Sequence, residues 1–231
     1  ACGIPHEVAL TGVFDVDIDR LCADLTVICT EHLERMGIPS DLDRFLFQIM
    51  VVGNGYGGLE HRTSTSLICK RDDLPRPGDP EMSDGYRTLL TLSSHEYFHL
   101  WNVKRIKPAR FTPFDLTQES PTTLLWAFEG ITAYYEPLAM VRCGIVDRKS
   151  WLELMGRDLT DVMRRPGRHV QSVTESSFDA WTKFYQQDED APNAIVSYYT
   201  KGFMVALALD LTLRLDGDSS LDAVMRVLYE R

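Results

Sequence analysis

One short stretch constrains this chain more than any other: His95-Glu96-Tyr97-Phe98-His99, set in an otherwise apolar run from Tyr86 to about Val103. A run that is apolar nearly all round the axis predicts a helix buried at the centre of its domain. Two histidines four residues apart on such a helix lie only about 40° apart around it. Their imidazoles can grip one ion with nitrogens about 2 Å away, while the adjacent Glu96 reaches the water beside it. Without a metal, two buried imidazoles and a carboxylate would cost desolvation for no visible return. The motif therefore predicts one zinc ion per chain.

A catalytic zinc needs a third protein ligand and one open position. No third histidine follows at short spacing, since the next is His169. A carboxylate on a following helix is the natural candidate. Glu129, in Trp126-Ala127-Phe128-Glu129-Gly130-Ile131, is an acid in apolar surroundings, where an unpaired charge would be costly. Glu119 and Glu136 are its rivals. Glu119 sits in a polar Gln-Glu-Ser-Pro turn that reads as exposed. Glu136 follows Glu129 by seven residues on a similar face, as a group supporting a ligand or as a surface acid.

Around this centre the chain reads as α+β. Asp17 to Met36 is helical by its apolar spacing, closed by Gly37 and Pro39. Arg44 to Val52 and Thr63 to Lys70 read as strands, separated by Asn54-Gly55 and Gly57-Gly58. Residues 71–85 carry three prolines, two glycines and five acids, and read as a loop. Beyond Gly85 helices dominate, at 86–103, 122–142, 151–163, 175–186, 197–214 and 219–229. A β-rich part over about 1–82 thus precedes a helical part over about 83–231.

Composition removes several classes of function. Among 231 residues, 24 basic against 34 acidic side chains leave a net charge of −10, which argues against a nucleic-acid partner. The same charge suits a cationic or amine-bearing ligand. No run approaches the 18 uninterrupted apolar residues of a membrane span, and the N-terminus lacks a signal-peptide pattern. Five cysteines, an odd number without a CxxC pair, argue against a disulfide framework and mildly favour a reducing compartment. Cys22 and Cys29, seven apart, are expected to face the core as small hydrophobes. The start without Met and the close at Leu228-Tyr229-Glu230-Arg231, inside a helical pattern, suggest a domain excised from a longer protein.

Four motifs in order, Gly57-Gly58-Leu59-Glu60-His61, HEYFHLWNVKRIKP, WAFEGITAYYEPL and Ser197-Tyr198-Tyr199-Thr200-Lys201-Gly202, resemble the glycyl aminopeptidase family of gluzincin metallopeptidases. The likeness runs from about residue 15 to the end. It implies a thermolysin-like zincin catalytic domain, in a family whose members usually add an N-terminal β domain and a C-terminal PDZ domain. It further implies His95, His99 and Glu129 as zinc ligands and Glu96 as general base. The ligand spacing of better-known related aminopeptidases would land on Gln118, which is no carboxylate, so Glu119 stays open.

By the same resemblance Glu60 holds the free α-amine of a peptide. Physically, Gly57 and Gly58 let a strand edge approach a peptide closely, and a carboxylate is the anion an ammonium needs. A turn followed by an exposed acid is the plain alternative. His61 either lines the site or caps that turn. Tyr199 takes the place of a tyrosine that donates to the developing oxyanion, as a phenol protonated at neutral pH can. Tyr198 is assigned to packing, and Lys201 to a solvated helix position. Asn102 is either a support for the ligands or an ordinary polar helix end. Lys104, Arg105 and Lys107 read as a solvated basic stretch.

The expected activity is zinc-dependent removal of an N-terminal residue from peptides, with a small first residue, glycine or alanine, implied by the resemblance alone. A zinc endopeptidase of the same fold and a catalytically silent peptide-binding domain are the alternatives.

Overall fold

The computed structural model describes residues 1–115 and 117–230; Leu116 and Arg231, the last residue of the closing helical pattern, lie outside it. Its architecture is mixed α+β, with one four-stranded sheet and a helical majority. The chain divides into two compact units. One comprises Ala1–Lys104 with Glu136–Val146, the other Arg105–Tyr135 with Asp147–Arg231.

The first unit holds the sheet, built from β1 (His6–Gly12), β2 (Phe45–Val52), β3 (Gly57–Glu60) and β4 (Ser64–Lys70) in the order β1-β2-β4-β3. β1 and β2 are parallel, β2 and β4 are parallel, and β3 returns antiparallel to β4 as an edge strand. Strict alternation buries Phe45, Phe47, Ile49 and Val51 of β2 beside Thr65, Leu67 and Cys69 of β4, all on one face. Helix α1 (Ile18–Met36) makes the crossover between β1 and β2. It is capped by the Asp17 side chain on the Arg20 N–H and ends at Gly37, whose φ of 86° suits glycine.

Its buried stripe runs through Leu21, Leu25, Ile28, Cys29, His32, Leu33 and Met36. Cys22 is exposed, contrary to expectation. It lies on the same side as Cys29, but the first turn of the helix is uncovered there, and Ile18, which faces the same way, is also exposed.

Helix α2 (Asp84–Phe98) starts at Ser83, whose hydroxyl accepts from the Tyr86 N–H. Its last turns are buried on every side, from Leu92 through Phe98. The helix stops five residues sooner than its apolar run implied. A tight turn follows, in which Val103 N–H donates to Trp101 O and Lys104 N–H donates to His99 O, with Val103 at a φ of 155°. Trp101 continues the core there, and its indole N–H donates to Gly37 O at 3.0 Å.

The second unit is helical. A wide π-helical turn, Trp126–Gly130, leads into α3 (Ile131–Arg142), of which Ile131–Tyr135 belong to this unit and the rest to the first, where 3.6-residue periodicity suggests one continuous α-helix. α4 (Arg148–Arg164), α5 (Val173–Phe178), α6 (Ala191–Ala194), α7 (Tyr198–Asp216) and α8 (Leu221–Glu230) follow. A second π turn, Ala180–Phe184, replaces the expected end of a helix over 175–186.

Gly130 and Gly202 let the first π turn and α7 meet backbone to backbone, since a Cβ on Gly130 would overlap the Gly202 main chain. Buried Asp210 ties α7 to its neighbours by accepting from Tyr134 Oη at 2.6 Å and Leu221 N–H at 2.7 Å, and within α7 it accepts from Arg214 Nε at 2.9 Å. The stretch Ala191–Asp216 is long and apolar enough to cross a membrane by length and composition. Here it forms α6 and α7, and carries the Asp210–Arg214 ion pair.

Candidate active site

His95 and His99 stand one turn apart at the end of α2, rings edge to face with centroids 4.7 Å apart. Both are buried. His99 Nδ1 lies 2.7 Å from the carbonyl oxygen of Asn102, which can only accept, so Nδ1 carries the proton and Nε2 keeps a lone pair. His95 Nδ1 lies 2.5 Å from Oε2 of Glu136, and the same reasoning leaves its Nε2 as the ligand atom. Two buried imidazoles with their Nδ1 protons directed at oxygens are the donor arrangement a zinc ion requires. The residues fit the ion.

Glu136 is thereby a support for His95, and Asn102 supports His99 through its main chain. Behind them, Ser94 Oγ donates to the Glu136 carbonyl at 3.0 Å and sits 2.9 Å from Nε2 of His32. With its single proton given to that carbonyl, the hydroxyl must accept from His32, whose Nε2 is protonated. Neither His32 nor Ser94, both buried, stands out in the sequence, because an apolar helix face accommodates one histidine or serine without any visible signal.

Glu96 is buried, and its side chain lies against Gly58 of β3. A Cβ at Gly58 would overlap the Glu96 side chain, whereas a Cβ at Gly57 would meet nothing within 4 Å. Gly58 is therefore a close-approach glycine, and Gly57 faces open space. Glu60, at the end of β3, offers a carboxylate oxygen that lies, with a Glu96 oxygen and a His99 ring nitrogen, in a group spanning no more than 4.8 Å. Lys104, expected in a solvated stretch, instead places Nζ 3.0 Å from Glu60 Oε1, with only about a quarter of each side chain exposed. His61 is exposed, and its Nδ1 lies 3.1 Å from Leu59 O within the hairpin turn.

The second unit carries Glu129 and Tyr199. Glu129 is half-buried on the π turn, and Tyr199 is half-buried on the first turn of α7, which Ser197 caps through the Thr200 N–H. Burial, and then the Glu129 charge, push the Tyr199 phenol well above the usual tyrosine range, so it stays protonated. Tyr185 Oη lies 3.1 Å from Tyr199 Oη and accepts from Tyr198 Oη at 3.1 Å. Lys201, expected in solvent, donates to the carbonyls of Arg168 and Gln171. Glu119 is solvent-exposed.

Residues 88–205, just over half of the chain, match the family model of the M61 glycyl aminopeptidases. The chain belongs to the M61 glycyl aminopeptidase family. A crystal structure of an aminopeptidase N family protein from Idiomarina loihiensis is similar over the whole of this M61 chain, with a TM-score of 0.96 and 49% identity. The M61 chain spans 39% of that protein's length. Yeast LTA4 hydrolase, in a complex with bestatin, shares the fold at a TM-score of 0.56 and 14% identity, over 90% of this chain and 29% of its own. No curated protein matches the chain.

Proposed function

We propose that residues 1–231 form the catalytic domain of a zinc aminopeptidase with a thermolysin-like arrangement, a β-rich part over about 1–82 and a helical part over about 83–231. His95, His99 and Glu129 would hold the ion. When bound, zinc polarises the scissile carbonyl and lowers the pKa of a coordinated water from about 15.7 towards about 7. Glu96 takes the proton of the attacking water and returns it to the leaving amine. Tyr199, kept protonated, donates to the developing oxyanion. Glu60 holds the peptide's N-terminal ammonium, with Gly57 leaving room for the chain beside the strand edge. The substrate is a peptide with a free N-terminus, and the family suggests glycine or alanine as its first residue.

The observation that carries this reading is the grouping of Glu60, Glu96 and His99 within 4.8 Å. An ammonium held by Glu60 would leave the first peptide bond, and no later one, beside the hydrolytic carboxylate. One observation favours an endopeptidase instead: Glu60 already has the Lys104 ammonium for a partner. Cleavage of an alanyl peptide and its N-acetylated twin separates the two readings. Strong preference for the free amine supports the aminopeptidase, and equal rates overturn it.

A further inference from the structure

The Lys104–Glu60 ion pair poses a chemical problem for amine recognition. A substrate ammonium and the Lys104 ammonium are the same kind of ion, and both seek one carboxylate. We infer that Lys104 is a resident competitor for the amine subsite, so that peptide binding exchanges one ammonium for another at Glu60. This rests on the reading of Glu60 as the amine anchor.

Three features carry it. Lys104 Nζ lies 3.0 Å from Glu60 Oε1, with both side chains largely withdrawn from solvent. Lys104 is aimed by a constrained turn: its N–H donates to His99 O, and the preceding Val103 takes a φ of 155° that L residues rarely adopt. The same turn presents the Asn102 carbonyl to His99, so the position of Lys104 is tied to that of a proposed zinc ligand. An ammonium fixed in this way suppresses the attraction of Glu60 for stray cations. It also sets the affinity for N-termini by the difference between two ion pairs rather than by one. Lys104 acts through Glu60 and does not touch the reacting atoms, so its signature belongs in KM.

The test compares wild type, Lys104→Met, Lys104→Arg and Glu60→Gln on an alanyl peptide and its N-acetylated twin. Lys104→Met keeps the aliphatic stem and removes the charge. It is expected to lower KM for the free-amine peptide about threefold to tenfold, with kcat within about twofold and the acetylated twin unaffected. Lys104→Arg, with a forked donor that binds a carboxylate more firmly, should raise that KM by a similar factor. It carries the test alone if the Met variant fails to fold. An unchanged or raised KM in Lys104→Met, or an unchanged KM in Lys104→Arg, overturns the inference while Glu60→Gln still abolishes the free-amine preference. If Glu60→Gln leaves that preference intact, the amine-anchor reading falls and takes the inference with it.

Discussion

Glu136 holds Nδ1 of His95 at 2.5 Å, across 41 residues of sequence. A carboxylate in this position fixes the imidazole's orientation and tautomer and raises the basicity of the opposite nitrogen. Replacing Glu136 by Gln keeps an acceptor but removes the charge. Zinc affinity should fall about 10- to 100-fold in a chelator-competition titration, with the fold retained. An unchanged affinity would mean that the contact is only packing.

Gly58 makes a second prediction. Its missing side chain is the space that Glu96 fills, so Gly58→Ala must displace the carboxylate proposed to take the water proton. A displacement of about 1 Å at a reacting group costs about 100-fold in rate. Steady-state kinetics should show that loss in kcat, with zinc content unchanged. Wild-type kcat in Gly58→Ala would show that Glu96 tolerates the shift.

The His32 imidazole makes stability depend on pH. Burial, and then the nearby Arg142 charge, hold its pKa down to about 3, against about 6.5 in an unfolded chain. Below pH 6.5 the unfolded state binds the extra proton, so His32's contribution is present at neutral pH and is lost as pH falls towards 3. The full slope is about 1.4 kcal/mol per pH unit. Urea midpoints for wild type and His32→Gln at pH 7, 6 and 5 would isolate it, because groups common to both proteins cancel. The stability gap in favour of wild type should narrow on acidification, and a constant gap would contradict the assignment.

What could be read from the residues alone follows how locally each feature is encoded. The HExxH helix was legible because two histidines at a four-residue spacing on a buried helix have little to gain there except a shared metal. β2 was legible from its β-branched and aromatic run, β4 from the chain resuming after the glycine breaks, and the Asp17-to-Met36 helix from its apolar spacing and the closing Gly37. Glu136 was legible only as one of several acids, since a seven-residue interval from Glu129 says nothing about the histidine it meets 41 residues earlier. Lys104 looked like part of a basic surface stretch because its partner, Glu60, lies far back in the chain on a strand edge. The π turns at Trp126–Gly130 and Ala180–Phe184 were invisible to a 3.6-residue period, which registers one extra residue as a mere shift in phase. His32 and Ser94 interact across two helices, where only tertiary packing brings them together.

The proposed chemistry depends on a single zinc whose removal stops peptide hydrolysis. The most direct test is the metal-to-chain ratio, measured alongside cleavage of an alanyl peptide before chelation, after it, and after zinc is restored. About one zinc per chain is expected, in line with a catalytic site of three protein ligands. Activity should be lost with the metal and recovered with it, and His99→Ala should retain no zinc. Full hydrolysis by metal-free protein, or zinc bound at the same ratio without His95 and His99, would contradict this reading.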